Sequence, residues 1–195
     1  IYNELDRGIA LKNVVLIQNK QKIESDKIIY KNYPNVKKLS YSAVGNVQIQ
    51  DSTIFSESEI ADYNGLNEST ILQGNPKIFD QSRMLSGNEI KLTYIDKSLR
   101  KIYIPSKATS DIIKTGFIKT VDDSLIKVSF KDKIEGKELF GSFSNDNLDS
   151  LKLNGMSKTL YHVFEVSLYK GNYQVSGDSI FISFDVIILN VFEVY

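Results

Sequence analysis

Apolar and polar residues alternate with a period of two along most of the chain. In the clearest segment, small or apolar residues recur at every second position and are separated mainly by Ser, Asn and Gln: Leu39, Tyr41, Ala43, Gly45, Val47 and Ile49. A β-strand with this pattern buries one face and exposes the other. Short polar turns such as Asn64-Gly65 separate roughly ten or more such segments, and none carries a helical stripe of useful length. The pattern predicts an all-β chain of antiparallel strands.

A repeat organises these strands. Residues 87–94, 136–143 and 177–184 align without gaps, and the alignment continues downstream. The aligned apolar columns are Ile90, Leu139 and Ile180; Tyr94, Phe143 and Phe184; Leu99, Leu148 and Leu189; Ile102, Leu151 and Phe192; and Ile104, Leu153 and Val194. A two-strand unit cannot bury its own apolar face, whereas stacked copies can. The repeat therefore predicts stacked strands around a continuous apolar interior.

A second signature marks the returning strands. Gly45-Asn46 and Gly74-Asn75 occupy equivalent places, and Asn13 marks a third. Residues 106–135 fit the repeat least well, and we expect a longer insertion or an irregular pair of strands there. We expect a single domain over residues 1–195, and we interpret the chain as a fragment of a longer protein whose leader is missing.

Two arrangements of the interior are open. The two sides of the stack can close into a dry core, as in any β-sandwich, or gape and leave a groove for a long apolar ligand. In the second arrangement the ligand-binding residues are the inward columns: Leu39, Tyr41, Ala43, Val47, Ile49, Ile90, Leu92, Tyr94, Ile102, Ile104, Leu139, Phe143, Leu151, Leu153, Ile180, Ile182 and Phe184.

Charge and composition remove several classes of function. Lys plus Arg equals Asp plus Glu at 24 each, so the chain lacks the surplus of cations with which proteins displace counterions from nucleic acids. The absence of cysteine excludes disulfides and thiolate metal sites. His162 is the single histidine, so a histidine metal cluster cannot form within one chain. We expect neither nucleic-acid binding, nor a cofactor, nor a metal.

Candidate catalytic groups have weak support. His162 lacks the Gly-x-Ser-x-Gly motif of a triad hydrolase. Glu57 and Glu59 share a predicted strand face and could serve as an acid/base pair in a hydrolase of envelope polysaccharide. Asp122-Asp123, or Asp146 with Asp149, could hold a calcium ion. Because solvated faces and polar turns account for all of these residues, we expect no enzymatic activity.

The order of several short motifs resembles the OstA/LptA-like family of lipopolysaccharide transport proteins. The motifs are Ala43-Val-Gly-Asn-Val-Gln-Ile49, then Leu72-Gln-Gly-Asn-Pro-Lys-Ile78 after Ile60-Ala-Asp-Tyr63, and in the later part Gly136-Lys-Glu-Leu-Phe-Gly-Ser-Phe143 and Leu151-Lys-Leu-Asn-Gly-Met156. The later stretch is especially similar to OstA-like proteins of Bacteroidota. Pro76 after Gly-Asn, and Gly141 in an apolar column, depart from the pattern.

The resemblance implies a twisted β-jellyroll that holds the acyl chains of lipid A between two sheets in the periplasm. Such a protein is either the bridge that hands lipopolysaccharide to the outer membrane, or the amino-terminal domain of the outer-membrane translocon. Lys37-Lys38 and Arg100-Lys101 then either contact lipid A phosphates or protect strand edges.

Partners follow from the strand edges. An apolar terminal strand, Val186–Val194, invites strand addition, so we expect pairing end to end with itself or with other lipopolysaccharide-transport components. The alternative from a different class is a structural β-repeat scaffold, or an adhesin segment, with a closed core and no lipid ligand.

Overall fold

The computed structural model describes residues 7–18, 21–51, 54–80, 83–144, 147–185 and 188–194, and side chains as far as residue 184. It confirms the all-β prediction. The strands are β1 (Arg7–Gln18), β2 (Gln21–Tyr33), β3 (Lys38–Gln50), β4 (Phe55–Asn64), β5 (Ser69–Gln73), β6 (Lys77–Asp80), β7 (Arg83–Ser86), β8 (Glu89–Ile95), β9 (Ser98–Ile104), β10 (Ala108–Lys119), β11 (Leu125–Gly136), β12 (Glu138–Ser144), β13 (Asn147–Glu165), β14 (Leu168–Asp185) and β15 (Ile188–Val194). A single 3-10 turn, Pro34–Val36, lies between β2 and β3.

All fifteen strands belong to one sheet. Its order is β1-β2-β3-β4-β5-β8-β9-β12-β13-β11-β10-β14-β15, and the β6–β7 hairpin joins β4 to β10. The pairings are antiparallel, except for a short parallel contact of β10 with β14. No helix in the described part of the chain is long and apolar enough to cross a membrane.

A line of bulges divides this sheet into two arms. The Gly-Asn pairs predicted as a strand signature lie on this line: Gly45 and Asn46 both have positive φ, as do Gly74 and Asn75. The register between β3 and β4 shifts at Gly45-Asn46, and β5 gives way to β6 at Gly74-Asn75. The equivalent bulges lie at 12–13 in β1 and at 155–156 in β13.

We call this line the corner. Arm I contains β5, β8, β9, β12, β15 and the halves of the long strands on their side of the corner. Arm II contains β6, β7, β10, β11 and the remaining halves. Inward residues of both arms, such as Ala43 before the corner and Val47 after it, belong to one buried cluster. Because both halves of the sheet bury the same face in that cluster, the sheet is folded over on itself, with the corner at one side and an edge that we call the mouth at the other.

The repeat found in the sequence is a hairpin repeat of arm I. Its three copies form the hairpins β8–β9, β12–β13 and β14–β15. Each copy carries a bulge at the same repeat position, between Thr93 and Tyr94, between Ser142 and Phe143, and between Ser183 and Phe184. The repeat in the sequence therefore corresponds to a repeated backbone geometry, a hairpin with a bulge at the same position in each copy.

Residues 106–135 form a regular hairpin. β10 and β11 pair over their full length with no register shift, so the expected irregularity is absent from this pair. The departure from the repeat lies in the position of the hairpin, because β10 and β11 are inserted between β13 and β14 in arm II. Asp146, and the Val186 that begins the predicted terminal strand, lie outside the described residues.

We expect the corner to depend on residues that accept a left-handed backbone. A Cβ on Gly45, at φ +81, would lie 2.5 Å from Oδ2 of Asp26, the atom that accepts a hydrogen bond from Asn46. Gly45→Val should therefore lower the free energy of unfolding by about 2–4 kcal/mol. Val44→Ala, at the exposed neighbouring position, is the control and should change it by less than about 0.5 kcal/mol. Chemical denaturation measures both, and equal losses would show that the corner tolerates a side chain.

Candidate functional site

The inward residues of arm I form ladders that run across the strands. One ladder follows the register from strand to strand through Ile28, Ala43, Ala61, Leu72 and Ile90, and continues through Ile104, Leu139, Leu153 and Ile180. These side chains are at most 2% exposed. A second ladder lies one step nearer the mouth, through Tyr30, Tyr41, Tyr63, Thr70, Leu92, Ile102, Gly141, Leu151 and Ile182. An apolar wall therefore extends over the width of arm I.

The residues predicted to line a groove lie on these ladders, on the next row of arm I toward the mouth, or on the matching face of arm II. Sixteen of the seventeen belong to the interior cluster or pack against it. The exception is Leu39, which is half-buried and outside that cluster. Fifteen of them are buried, and Phe184 is half-buried at the mouth. In the structure the two arms are in contact along the apolar columns, so this arrangement is a closed interior.

Gly141 departs from the apolar column without leaving a hole. A Cβ built there would lie 3.3 Å from Cδ2 of Leu151 and 3.4 Å from Cδ1 of Leu148. Neighbouring leucines therefore occupy the space that Leu92 and Ile182 fill in the other copies. With glycine at this position, side chains from neighbouring positions cover the wall, and the wall stays apolar.

The wall formed by arm II is more polar. Its ladder runs through Leu16, Ile23, Ile49, Ser56, Ile78, Leu85, Ser110, Ile134 and Thr159. Ser56, Ser110 and Thr159 are buried among the aliphatic residues. The next row toward the mouth carries charge, since Arg83 and Asp132 flank Ile112 in register. The interior therefore changes from aliphatic at the corner to charged at the rim of arm II.

Side chains reach across the mouth from both arms. The hydroxyl of Tyr94, in arm I, receives hydrogen bonds from the side chains of Thr70 and of Gln21, which begins β2 in arm II. The guanidinium of Arg83, in arm II, lies 4.6 Å from the ring centroid of Phe184 in arm I. These side-chain contacts link the two arms at the mouth.

Arg83 forms a buried pair with Asp80 at the rim. The Nη2–Oδ2 distance is 3.3 Å and each side chain is about one-tenth exposed. Burial raises the pKa of Asp80, opposed by the charge of Arg83, and burial lowers the pKa of Arg83, opposed by Asp80. Nη1 of Arg83 has no hydrogen-bond partner among the described residues. Because these charged groups are already shielded from water, a polar group that binds at this rim removes little further water from them.

A second charged cluster, which the sequence analysis did not identify, surrounds His162. The Asp132 side chain is 1% exposed; its Oδ1 lies 2.7 Å from Nδ1 of His162 and accepts the backbone N–H of that residue. Its Oδ2 lies 2.6 Å from Nζ of Lys114. The available signal was the alternation of β11, in which Asp132 occupies an inward position between Phe130 and Ile134. The buried carboxylate of Asp132 thus pairs with Lys114 and fixes the position of His162 by hydrogen bonds.

The other candidate groups are dispersed. Glu57 lies opposite Lys77 in register, whereas Glu59 lies at the corner against Gly74. Lys38 pairs with Glu68 at 3.1 Å. Asp122 accepts hydrogen bonds from Thr120 and Ser124 in the β10–β11 turn, and these bonds lower its pKa. Within the described ranges, no group of three His, Asp or Glu side chains could hold a metal ion.

Two buried tyrosines in the interior should respond oppositely to loss of the hydroxyl. The Tyr41 hydroxyl is buried and has no hydrogen-bond partner in the described chain, whereas the Tyr94 hydroxyl has two. We expect Tyr41→Phe to leave the free energy of unfolding unchanged or raise it by up to about 1 kcal/mol, and Tyr94→Phe to lower it by about 1 kcal/mol. Denaturant titrations measure both variants, and each is the control for the other. If both substitutions changed the free energy of unfolding in the same direction, the hydrogen-bond assignment of the two hydroxyls would be contradicted.

The same tyrosines predict a loss of stability in alkali. Burial first, and then neighbouring tyrosines, raises the pKa of Tyr41; burial and then Asp51 raises that of Tyr94. Their contribution to stability is complete below the unfolded-state pKa of about 10 and falls as pH rises above it, because the unfolded chain then loses the protons first. The Tyr41→Phe/Tyr94→Phe double variant should lose less stability than the unsubstituted protein between about pH 9 and 11.

Comparison with known proteins agrees with this architecture. Residues 2–97 match the family model described as LptA/(LptD N-terminal domain) LPS transport protein. The matched range contains β1 to β8 and the corner residues up to Gly74-Asn75. Comparison with curated proteins finds no match. The repeat of arm I begins inside the matched range and continues through β15. Residues 2–97 are thus similar to the OstA/LptA-like family of lipopolysaccharide transport proteins, and the sheet that they begin continues as far as β15.

Proposed function

We propose that this chain binds lipopolysaccharide in the periplasm, shelters the acyl chains of lipid A between arms I and II, and passes the molecule on as a bridge. The observation that carries the proposal is the pair of ladders in arm I, which extend from β2 to β14. The family match supports transport of this lipid. The proposal treats residues 1–195 as a single domain, either a separate bridge protein or the amino-terminal domain of an outer-membrane translocon.

The ladders are chemically suited to a fatty-acyl chain. Burial of a methylene group contributes about 0.8 kcal/mol, so a chain of about twelve carbons gains on the order of 10 kcal/mol before the costs of binding. Successive rungs present similar aliphatic side chains, such as Ile90, Leu139 and Ile180. A lipid that moves from rung to rung therefore meets nearly the same environment, and no cofactor or energy source within the chain is required.

Entry is expected at the mouth. Among the strand pairings of the described residues none joins the two arms at the mouth, whereas long strands such as β3 continue from one arm into the other at the corner. The closing contacts known at the mouth are side-chain contacts, including Arg83 with Phe184 and Tyr94 with Gln21. Acyl chains would displace these side chains and separate the arms, while the charged rim at Arg83 stays beside the polar part of the lipid. Binding thus requires the interior to open.

A second candidate is a structural scaffold with a permanently closed core. The burial of the predicted lining residues favours it, because Leu151, Leu153 and Ile180 have no exposed surface. The two candidates differ in whether the arms separate in the presence of lipid. Both use the same fold, so a test must report on the interior directly.

A photo-crosslinking amino acid on β12 distinguishes the candidates. Benzoylphenylalanine in place of Phe143 lies in the interior, whereas in place of Phe140, which is 41% exposed and three residues earlier, it lies on the outer face. In the full chain exposed to lipopolysaccharide, we expect adducts from position 143 at least about tenfold above those from position 140. The measurement is the mass of the cross-linked protein.

The carrier and the scaffold predict adducts at different positions. Adducts at position 143, competed away by unlabelled lipopolysaccharide, support the carrier. Labelling at position 140 alone, or at neither position, supports the scaffold. Retained β-sheet circular dichroism of both variants excludes misfolding as the cause.

Partners are expected at β1, the first strand of the sheet. Its outer face exposes Ile9, Leu11, Val15 and Ile17. A strand edge of this kind favours addition of a strand from another copy or from a neighbouring transport component. We propose that β1 is such a junction.

Lysines on β1 should prevent this pairing. Val15→Lys/Ile17→Lys introduces charge where an added strand would pack, and we expect the dissociation constant of self-association to rise at least about tenfold. Leu66→Lys, at a half-exposed turn position, is the matched control and should leave it unchanged. Sedimentation at several concentrations measures the constant. A monomer that fails to associate at high concentration, with or without lysine, would contradict the junction.

A further inference from the structure

Two hairpin ends in arm II lie side by side and expose apolar side chains. The turn between β10 and β11 spans residues 120–124, and the turn between β13 and β14 spans residues 166–167. The backbone N–H of Phe117 donates a hydrogen bond to the carbonyl of Ser167 at 2.8 Å, and Phe117 pairs with Leu168. We call this paired surface, residues 117–127 and 164–170, the twin tip.

The close approach of the two hairpins is built into the strands. A Cβ on Gly116 would lie 2.2 Å from Cε1 of Phe164, so the absence of a side chain there allows the β13–β14 end to lie against β10. Phe164 in turn packs edge-on against Phe130, which stacks on Tyr169 at 4.6 Å between ring centroids. The twin tip is therefore supported from beneath by aromatic packing and presents a defined surface.

Four apolar residues at the twin tip are largely exposed. Val121 is fully exposed and Val166 is 98% exposed, while Leu125 and Ile126 each expose more than half of their surface. An apolar hollow of about 360 Å³ lies between the ends, lined by Phe117, Leu125, Val166 and Leu168, with Glu165 and Lys170. Soluble proteins rarely expose contiguous apolar surface unless it meets a partner or a membrane.

Local backbone preference does not explain Val166 either. Its φ is +48 and that of Ser167 is +67, the left-handed values of a tight hairpin turn in which Asn and Gly are favoured. A β-branched side chain is strained in this conformation. A valine that is both strained and exposed is retained against the preferences of the fold, which points to a function outside it.

The balance of charges at the twin tip indicates which kind of partner it fits. Three basic residues, Lys119, Lys127 and Lys170, face three acidic ones, Asp122, Asp123 and Glu165. Lys119 pairs with Asp123, and Lys170 with Glu165, both at 2.8 Å. A neutral surface of paired charges around apolar side chains complements zwitterionic lipid head groups above hydrocarbon. Its four strongly exposed apolar side chains offer less than the roughly 800 Å² per partner of a stable protein interface.

We propose that the twin tip is a membrane-docking surface, whose valines enter the interfacial layer of a lipid bilayer while the arms remain in water. The partner is a bilayer surface, irrespective of its net charge. This surface is separate from the interior proposed to hold acyl chains, so it does not depend on the proposed transport function. It provides the protein with a means of approaching a membrane surface.

Single tryptophans test the docking, because the chain contains none. Val121→Trp and Val166→Trp place the probe at the twin tip, and Val36→Trp places it at another exposed valine, 55% exposed, in the turn between β2 and β3. Phosphatidylcholine vesicles with brominated acyl chains should quench the two tip probes at least about twofold more than the control. Equal quenching at the three positions, or no quenching, would overturn the proposal.

A charged variant tests the same surface without tryptophan. Val121→Asp/Val166→Asp in the full chain should reduce the fraction that floats with phosphatidylcholine vesicles at least about tenfold, whereas Val36→Asp should not reduce it. Val166→Asn should weaken flotation while raising the melting temperature, because Asn accepts the left-handed turn. Flotation that persists in the double variant would refute docking by the twin tip. The proposal would also be refuted if the twin tip were buried by an added protein and not by lipid.

Discussion

The structure depends on one constraint: a single sheet with one apolar face has to cover that face with itself. The bulges at the corner meet this constraint, because pairs of successive left-handed residues at 12–13, 45–46, 74–75 and 155–156 change the direction of the sheet along one line. Gly45-Asn46 and Gly74-Asn75 do so at the third and fifth strands of the sheet order. The residues that turn the chain therefore create the interior, and the ladders follow from the register that they impose.

The two arms contribute differently to this interior. The ladders of arm I are aliphatic or aromatic apart from Thr70 and Gly141, whereas arm II includes more buried hydroxyls and ends in the ion pairs of Asp80 and Asp132. Buried charged groups cost free energy unless they are paired, and in arm II the carboxylates of Asp80 and Asp132 are paired with Arg83 and Lys114. A graded interior of this kind is suited to an amphiphile that buries its chains and keeps its head group near the rim. This is the physical link between the fold and the proposed transport of lipopolysaccharide.

Three parts of the molecule differ in the groups that they present to a partner. The interior is apolar and closed by side chains at the mouth, the β1 edge offers backbone to another strand, and the twin tip exposes side chains that the fold does not need. A lipid, a protein strand and a bilayer surface are the partners that match these properties. Each proposal rests on a separate set of residues, so the failure of one leaves the others intact.

The sequence by itself determined the strand class, the repeat and the inward columns, because alternation and spacing are local properties of the chain. Ile90, Leu139 and Ile180 fall on one ladder as aligned, and the Gly-Asn signature marks the corner. Only the tertiary structure decided that these columns meet a second wall and are buried, since that depends on how far the two arms approach. It also brought Asp132 to His162 and Phe117 to Ser167 across 30 and 50 residues of chain, which no local pattern encodes. Short-range periodicity specifies which side of a strand faces inward, whereas long-range pairing specifies what it faces.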